Sequence, residues 1–386
     1  MTDWNWREKR EKKAFLALED GTVLRGASVG AAKDVLGEVV FNTGMTGYEE
    51  ILTDPSYNGQ IVTMTYPEIG NYGIAPEDVE SRQVFANGFV IHNLNRPHNW
   101  RSRVALDAWL REQGIPAIEG VDTRALTTRL RDRGTLKGFM SVERRIAEAD
   151  AVRMARKWCG LDNQDYAAVV SVDKHFDWDP DGKLTETWGI AEDLPPADLK
   201  VVAYDFGVKW NILRNLRTCG MDVTVVPAKT SAGDILALKP DGLFLSNGPA
   251  DPAAVTYAIE NIRKLIGKLP IMGICLGHQL AGLAMGGKTF RLKFGHHGCN
   301  HPVMNLQTRA VEITSQNHNF SLDPDTLPAN DAEVTHVNLN DQTVEGLRHR
   351  NAPLFTVQYH PEAAPGPHDS AYLFREFRAL IESVKK

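Results

Sequence analysis

The sequence lacks a long apolar run and carries no excess of positive charge. No segment approaches the roughly 18 consecutive apolar residues that indicate a membrane-spanning helix. A formal net charge of −6 over 386 residues argues against a general nucleic-acid binder and against attachment to an anionic membrane surface. Residues 1–10 contain no apolar segment typical of a signal peptide. We therefore expect a cytoplasmic protein with no nucleic-acid or membrane partner.

Cysteine is also scarce. The four cysteines, Cys159, Cys219, Cys275 and Cys299, lie far apart and show no paired spacing. Such a pattern indicates neither a disulfide framework nor a C-x-x-C metal site, but it permits thiol chemistry at one position. Charged residues make up 24% and hydrophobic residues 42% of the chain, which is typical of a globular protein. At this length, two or more domains are expected.

One cysteine lies in an unusual sequence context. Cys275 stands at the centre of a G-x-C-x-G pattern at 273–277, between the apolar runs 269–272 and 280–285. This predicts a tight turn from a buried strand into a helix, where glycines avoid clashes and a nucleophile is exposed. The helix N-terminus would favour the thiolate, and the Leu276 N–H would face a developing oxyanion. The alternative is a small buried core cysteine.

The order of predicted elements divides the chain into segments. Residues 1–13 form a charged N-terminal tail, and residues 14–160 mix short strands with amphipathic helices as an α+β domain does. Residues 161–198 are rich in turn formers and acids, which predicts an interdomain linker. From residue 199 to residue 386, strands alternate with helices, which predicts a mainly parallel sheet flanked by helices. The predicted fold class is therefore α/β, with a smaller α+β domain in front.

A base for the thiol is expected near the end of the second domain. Residues 354–359 read as a strand that ends in His360, Pro361 and Glu362. Proline restricts the preceding residue to extended geometry, so the His360 imidazole would leave the strand tip in a defined direction. Glu362 could hold one ring nitrogen and orient the other toward Cys275.

These motifs resemble those of the triad (class I) glutamine amidotransferases. The resemblance rests on residues 273–279 (GICLGHQ) and the later His-Pro-Glu at 360–362. Residues 245–249 (LSNGP) resemble the oxyanion strand of that family, and residues 315–318 (SQNH) resemble its glutamine-binding segment. The resemblance implies a class I glutamine amidotransferase domain that hydrolyses the glutamine side-chain amide and releases ammonia.

The first domain indicates which subfamily of the triad amidotransferases the chain resembles. Residues 41–73, 120–126 (GVDTRAL) and 295–302 (GHHGCNHP) resemble the small, glutaminase subunit of glutamine-dependent carbamoyl-phosphate synthetases, over nearly the whole chain from about residue 14. The resemblance implies a heterodimer with a large subunit that makes carbamoyl phosphate from bicarbonate and ATP. Whether several heterodimers assemble into a higher oligomer stays open. The resemblance implies no cofactor in this chain, ATP and Mg or Mn in the large subunit, and a place in arginine or pyrimidine biosynthesis.

The resemblance also implies roles for individual residues. Catalysis is implied for Cys275, His360 and Glu362. Glutamine contacts are implied for Gly44, Gly248, Ala250, Leu276, Gln279, Asn317, Asn319 and Phe320. Three of these contacts depart from the family pattern. The family often has serine at the position of Gly44, so Gly44 could contact glutamine only through its backbone. Ala250 and Asn319 stand where the family usually has glycine. Asparagine tolerates a left-handed conformation, so a turn could persist at Asn319.

Two further patterns resemble ligand-binding motifs, but we predict no ligand at either of them. Residues 282–289 (GLAMGGKT) match the phosphate-loop pattern, but a helix is expected before the glycines and a strand after them, which reverses the required order. The cluster His296, His297, Cys299 and His301 invites a zinc site, but its ligands are too crowded for one tetrahedral centre. We expect a structural turn there and no metal. His278, a competing base beside Cys275, is expected to pack or cap the helix.

Other functions stay open on the sequence alone. The chain could be the glutaminase subunit of another amidotransferase, or a non-catalytic glutamine-sensing subunit. A dinucleotide-binding oxidoreductase is disfavoured, because no G-x-G-x-x-G follows the first strand of the second domain at 201–206.

Overall fold

A computed structural model of the chain describes residues 13–143, 145–187, 194–249 and 251–385. It divides into two compact units, Met1–Asp162 and Asn163–Lys386. The division falls at the beginning of the predicted linker, and the exact domain boundaries stay a prediction. Among the described helices, none combines the length and the apolar character needed to cross a membrane.

The N-terminal unit is built on a closed barrel. Its strands are β1 (Lys13–Leu18), β2 (Val23–Ser28), β3 (Val35–Asn42), β4 (Gln60–Met64), β5 (Glu68–Ile69), β6 (Gly88–Val90), β7 (Asn93–Leu94), β8 (Ala117–Glu119) and β9 (Leu136–Ser141). Its helices are α1 (Tyr48–Thr53), α2 (Leu106–Glu112), α3 (Thr123–Arg133) and α4 (Glu148–Lys157), with 3-10 turns at Pro55–Tyr57 and Pro76–Asp78. The barrel runs β1-β2-β8-β6-β4-β3-β9, while β5 and β7 form a separate pair.

Alternation along the strands explains how this unit buries both sides of the barrel wall. In β1, Phe15 and Ala17 face outward and pack against α4, which offers Ala151, Val152 and Ala155. These three helical positions share one face of α4, as the spacing i, i+1, i+4 requires. Because neighbouring residues of β1 point the other way, every residue of β1 after the first is buried.

The C-terminal unit contains a ten-stranded sheet. Its strands are β10 (Phe176–Trp178), β11 (Leu199–Asp205), β12 (Met221–Pro227), β13 (Gly242–Leu245), β14 (Ile271–Ile274), β15 (Lys288–Asn305), β16 (Val311–Asp323), β17 (Ala332–Asn338), β18 (Val344–His349) and β19 (Leu354–Val357). Its helices are α5 (Ala167–Val170), α6 (Lys183–Thr187), α7 (Trp210–Thr218), α8 (Ala232–Ala237), α9 (Thr256–Leu265), α10 (Leu276–Ala284) and α11 (Tyr372–Lys385), with 3-10 turns at Pro252–Ala254 and Pro324–Thr326. The strand order is β10-β12-β11-β13-β14-β19-β18-β17-β15-β16.

The centre of this sheet is parallel, as predicted. Strands β12, β11, β13, β14 and β19 pair in parallel, and two apolar clusters cover the two faces of the sheet. The predicted α/β class, with a separate unit in front, is confirmed. In parallel strands the carboxyl ends meet at one edge, where ligands bind in such sheets. The segments after β11, β13, β14 and β19 therefore converge.

The sequence did not predict the antiparallel half of the sheet. Strands β18, β17, β15 and β16 extend it beyond β19, each paired antiparallel with its neighbour. The turn expected for the cluster at residues 296–301 is wrong, because these residues lie within β15, which is irregular between Gly298 and His301. Residues 282–289, which match the phosphate-loop pattern, show the predicted order of a helix followed by a strand. Helix α10 ends at Ala284, Gly286 has a φ of 102°, and β15 begins at Lys288.

Candidate active site

Cys275 occupies the corner between β14 and α10. Its φ of 52° and ψ of −105° are rare for a side-chain-bearing residue and indicate local backbone strain. Its N–H donates to the Val357 carbonyl oxygen of β19 at 2.9 Å, which holds the corner against the neighbouring strand. The flanking glycines make the corner possible. A Cβ atom on Gly277 would lie 2.2 Å from the Leu245 carbonyl oxygen, and one on Gly273 would lie 2.9 Å from Thr356 Cγ2.

His360 follows β19 and lies beside the cysteine. Its N–H donates to the Ser315 carbonyl oxygen of β16 at 2.9 Å, so its backbone is fixed by a second strand. Its Nδ1 hydrogen-bonds to Glu362 Oε1 at 2.6 Å, and both side chains are buried. Since Nδ1 is taken by the carboxylate, Nε2 is the ring nitrogen left for the Cys275 thiol. Nε2 makes no hydrogen bond within the part of the chain that the structure describes, and Cys275 is close enough to raise the pKa of the imidazole. The structure thus brings Cys275, His360 and Glu362 together, and their catalytic roles stay a prediction.

A buried lysine that the sequence analysis missed joins this group. Lys209 Nζ lies 3.0 Å from Glu362 Oε1 and donates to the Ala363 carbonyl oxygen at 2.6 Å. Asn211 Nδ2 also donates to the Glu362 carbonyl oxygen. Lys209 lies just after β11, one of the parallel strands whose ends meet at this edge. A lysine at the carboxyl end of a predicted parallel strand was the available signal.

The charges of these groups determine one another's protonation. Burial opposes the ionised form of Glu362, but the Lys209 ammonium and the His360 imidazole outweigh burial and lower its pKa to about 2. Burial also opposes protonation of His360, but Glu362 and Cys275 outweigh it and raise the His360 pKa to about 10. A proton therefore resides on the imidazole that faces the sulfur at neutral pH.

Two backbone segments meet beside the sulfur. Leu276 is the first residue of α10, so its N–H has no acceptor within the helix. Gly248, after β13, approaches the same place: a Cβ atom there would lie 2.2 Å from the Phe206 carbonyl oxygen and 2.8 Å from Leu276 Cδ2. Only a glycine allows this approach. Ala250, the third residue predicted here, lies outside the described residues.

Strand β16, which carries three of the predicted glutamine contacts, also reaches Cys275. Cys275 Sγ is 3.7 Å from the Asn317 carbonyl oxygen. Gln279 of α10 donates from Nε2 to the Phe320 carbonyl oxygen at 2.7 Å, which ties the helix to β16. Asn319 lies within β16, so the left-handed turn considered for it is wrong. His297 holds both asparagines through its two ring nitrogens, each 3.0 Å from an amide oxygen.

The remaining predicted contact belongs to the other unit. Gly44 lies in the loop between β3 and α1, and its N–H donates to Asn42 Oδ1 at 2.7 Å. The structure therefore fixes the local conformation of this loop, and the role of Gly44 toward glutamine stays a prediction.

The other histidines near the site are held by contacts with neighbouring side chains. His278 is fully buried in α10, and its Nδ1 is 2.8 Å from Thr356 Oγ1, which fits the predicted packing role. In the described part of the chain, one group of side chains has metal-ligand spacing, formed by His296, His318 and Glu345. Gln316 Oε1 lies between the two imidazoles, 3.1 Å from His296 Nδ1 and 2.7 Å from His318 Nε2. This amide occupies the centre of the group, so we assign it no metal.

Together these groups are equipped for acyl transfer. A thiol on a strained corner next to an imidazolium is the arrangement of a cysteine nucleophile and its proton donor. A carboxylate on the second ring nitrogen orients the imidazole, and the Leu276 N–H next to the sulfur has no acceptor within the helix, as an oxyanion-binding group requires.

Known proteins match this chain along nearly its whole length. A family model described as Glutamine amidotransferase class-I matches residues 202–380, and one described as Carbamoyl-phosphate synthase small chain, CPSase domain, matches residues 16–140. A protein of Akkermansia muciniphila named carbamoyl phosphate synthase small chain is 51% identical over 375 residues, which cover 97% of this chain and 99% of that protein. A protein of the same name from Syntrophotalea carbinolica is 53% identical with the same coverage. The chloroplastic small chain of Oryza sativa subsp. japonica is 48% identical, covering 96% of this chain and 82% of that protein.

Proposed function

Since this chain belongs to the carbamoyl phosphate synthase small chain family, we propose that it hydrolyses glutamine and supplies ammonia to a large chain. In this proposal Cys275, His360 and Glu362 form the catalytic triad. The large chain uses the ammonia, bicarbonate and ATP to make carbamoyl phosphate, which serves arginine or pyrimidine biosynthesis. ATP and its divalent metal bind to the large chain, and this chain needs no cofactor of its own. We place the complex in the cytoplasm.

In the first half of the reaction, the Cys275 sulfur attacks the carboxamide carbon of glutamine. The carbon–sulfur bond forms as the carbonyl π electrons move to oxygen, and the N–H groups of Leu276 and Gly248 stabilise the oxyanion. His360 then donates its proton to the amide nitrogen. The carbon–nitrogen bond breaks, ammonia leaves, and a glutamyl thioester stays on Cys275.

In the second half, water replaces the sulfur. His360, neutral after its proton has left, removes a proton from a water molecule that attacks the thioester carbon. The carbon–sulfur bond breaks, glutamate leaves, and the imidazolium next to the thiolate is restored. Glu362 keeps the imidazole oriented through both halves, and Lys209 keeps Glu362 ionised.

The observation that carries this proposal is the buried chain of contacts at one sheet edge. Lys209 contacts Glu362, Glu362 contacts His360, and His360 lies beside Cys275. Three sequence-distant segments converge there: the segment after β11 contributes Lys209, the corner after β14 contributes Cys275, and the segment after β19 contributes His360 and Glu362. A glutamine-sensing subunit would need a pocket for glutamine but not a thiol and a base held in register.

Replacing Cys275 with serine tests the proposal directly. In the complex with the large chain, we expect glutamine-dependent synthesis of carbamoyl phosphate to fall by at least about a thousandfold, because a serine hydroxyl is far less ionised than a thiol next to an imidazolium. Synthesis from added ammonium should be unchanged, because it bypasses the small chain. The measurement is the rate of carbamoyl phosphate formation with each nitrogen donor.

The matched control is Cys159→Ser, which changes an exposed cysteine of the N-terminal unit and should leave both rates unchanged. Glutamine-dependent synthesis that persists in Cys275→Ser would contradict the proposed nucleophile. Labelling of Cys275 by a glutamine-like chloroketone, with loss of glutamate release, would exclude the glutamine-sensing alternative. Copurification with a different large protein would instead indicate another amidotransferase.

A further inference from the structure

Strand β16 passes beside the nucleophile. Cys275 Sγ is 3.7 Å from the Asn317 carbonyl oxygen. A substrate carbon within bonding distance of this sulfur must therefore lie next to residues 317–319, whatever the substrate is. The position of this short segment decides how much room the substrate has and which backbone groups it meets. The contacts that fix the segment therefore act on substrate binding as well as on the fold.

The pairing of β15 with β16 places His297 against this segment. His297 lies directly opposite Asn317. Because side chains alternate along a strand, Asn317 and Asn319 share one face of β16. The register shifts between Arg291 and His296, which makes β15 irregular opposite Asn319. Irregular strands of this kind can aim one side chain at a position that regular pairing would not reach.

His297 contacts both asparagines with its two ring nitrogens. Nδ1 lies 3.0 Å from Asn317 Oδ1, and Nε2 lies 3.0 Å from Asn319 Oδ1. His297 is only 2% exposed, so water competes little for these contacts. Burial also lowers the pKa of His297 to about 4, so the ring is neutral at pH 7. The imidazole therefore acts on the segment through hydrogen bonds rather than through charge.

A glycine of β15 leaves the room for this arrangement. Gly295 has a φ of 70°, in the left-handed region that favours glycine. A Cβ atom at Gly295 would overlap both Asn319 Oδ1 and His297 Nε2. Any other residue at this position would thus push apart the two atoms that form the contact. The course of β15 is built around the contact between His297 and Asn319.

We propose that His297 is a positioning residue, which holds Asn317 and Asn319 so that β16 presents a fixed backbone to the substrate at Cys275. The inference rests on the proposed function, which makes glutamine the substrate. In this proposal His297 acts only through the two asparagines and takes no part in the chemical steps. A segment that is fixed before glutamine arrives lowers the entropy cost of binding, so the loss of His297 should raise KM more than it lowers kcat.

The test compares His297→Phe with wild type in the complex with the large chain. Phenylalanine keeps an aromatic ring and removes both ring nitrogens. We expect KM for glutamine to rise at least about fivefold and kcat to change less than about twofold, because hydrogen bonds that fix the segment are lost. Synthesis of carbamoyl phosphate from added ammonium should be unchanged.

The matched control is His301→Phe, which changes another histidine of β15. His301 Nδ1 makes no hydrogen bond to any residue that the structure describes. Its KM for glutamine should therefore stay within about twofold of wild type.

Asn319→Ala tests the same contact from its other end. It removes the amide and leaves the imidazole in place, and we expect KM for glutamine to rise at least about threefold. Because the two side chains act through one contact, the double variant should have about the same KM as His297→Phe alone. Asn319 is only half-buried, so this variant decides the outcome where His297→Phe fails to fold.

Glutamine binding without hydrolysis separates this inference from the proposed function. In the Cys275→Ser complex, His297→Phe should weaken the dissociation constant for glutamine, measured by calorimetry, by at least about fivefold. That result would support the inference even where the wild-type complex releases no glutamate, an outcome that overturns the proposed function alone. A Cys275→Ser complex that binds no glutamine would overturn both.

Three results would overturn the inference and leave the proposed function standing. The first is a KM within about twofold of wild type in both His297→Phe and Asn319→Ala. The second is a double variant in which the two effects on KM multiply, since the side chains would then act independently. The third is a fall in kcat with an unchanged KM, which would indicate a role in the chemical steps or a general loss of structure.

Discussion

The His360 imidazole owes its proton to Glu362 and Cys275, of which Glu362 has the larger effect. Glu362 raises the His360 pKa against the effect of burial, and in the proposed mechanism the protonated form releases ammonia. Replacing Glu362 with glutamine removes this negative charge, so the His360 pKa should fall. The alkaline limb of kcat/KM for glutamine hydrolysis should therefore move to lower pH, by about 1 to 3 pH units for the loss of one close opposite charge. The measurement is the pH profile of glutamate release.

The matched control also removes a buried carboxylate but leaves the His360–Glu362 pair unchanged. Glu312 is buried in the same unit and accepts hydrogen bonds from Tyr359, Ser370 and Tyr372. Glu312→Gln should leave the position of the alkaline limb unchanged, even where the rate falls. An alkaline limb in Glu362→Gln that coincides with that of wild type would show that Glu362 does not set the His360 pKa.

At the scale of elements, the site depends on how closely α10 approaches β13. Gly277 lies in the first turn of α10, where a Cβ atom would overlap the Leu245 carbonyl oxygen of β13. Gly277→Ala must push the helix and the strand apart and displace the corner that carries Cys275. We expect a loss of roughly 1 to 3 kcal/mol in the free energy of unfolding, the usual range for overpacking, together with a large loss of glutamate release. Urea unfolding and the glutaminase rate measure the two effects.

Another helical glycine provides the control for this substitution. Gly233 lies in α8, where the nearest atom to an added Cβ is Ser231 Oγ at 3.7 Å. Because alanine favours a helix more than glycine does, Gly233→Ala should raise the free energy of unfolding by up to about 1 kcal/mol without changing activity. Equal stability of Gly277→Ala and wild type would show that α10 and β13 tolerate a wider spacing.

At the scale of the whole molecule, buried histidines should set the pH range of stability. Burial lowers the pKa of five histidines of the C-terminal unit below the usual 6.5. They are His278, His297, His301, His318 and His336. Below pH 6.5 the unfolded chain binds more protons at these positions than the native chain, so the free energy of unfolding falls as the pH falls.

His296 and His360 act in the opposite direction, because their pKa values are raised to about 9 and about 10 despite burial. The stability that they contribute is complete below pH 6.5 and is lost as the pH rises through those values. We therefore expect maximal stability near pH 6.5, with a decrease toward acid from the five buried histidines and a decrease from pH 6.5 toward about pH 9 to 10 from His296 and His360. Urea unfolding at pH 5, 7.5 and 10 measures it.

The acid-side slope can be assigned to single residues. His301→Gln should remove up to about 1.4 kcal/mol per pH unit from that slope, the effect of one proton bound on unfolding. A free energy of unfolding that stays constant from pH 7.5 to pH 5 would contradict the role of the buried histidines.

The amino-acid sequence alone determined the features that depend on neighbours along the chain. The corner at Cys275 follows from the steric freedom of Gly273 and Gly277, and the direction of His360 follows from Pro361. The alternation of strands and helices after residue 199 likewise predicted the parallel centre of the sheet, because the period of apolar residues is a local property.

Only the tertiary structure decided which distant residues meet. Lys209 became the partner of Glu362 because β11 lies in the same parallel sheet as β19, and nothing local to residue 209 specifies that contact. The placement of residues 295–302 within β15 depends in the same way on pairing with β16, which overrides the turn-forming character of Gly295 and Gly298. Strand pairing is a long-range choice set by burial of whole faces, so the charges around the imidazole could be known only after the sheet was assembled.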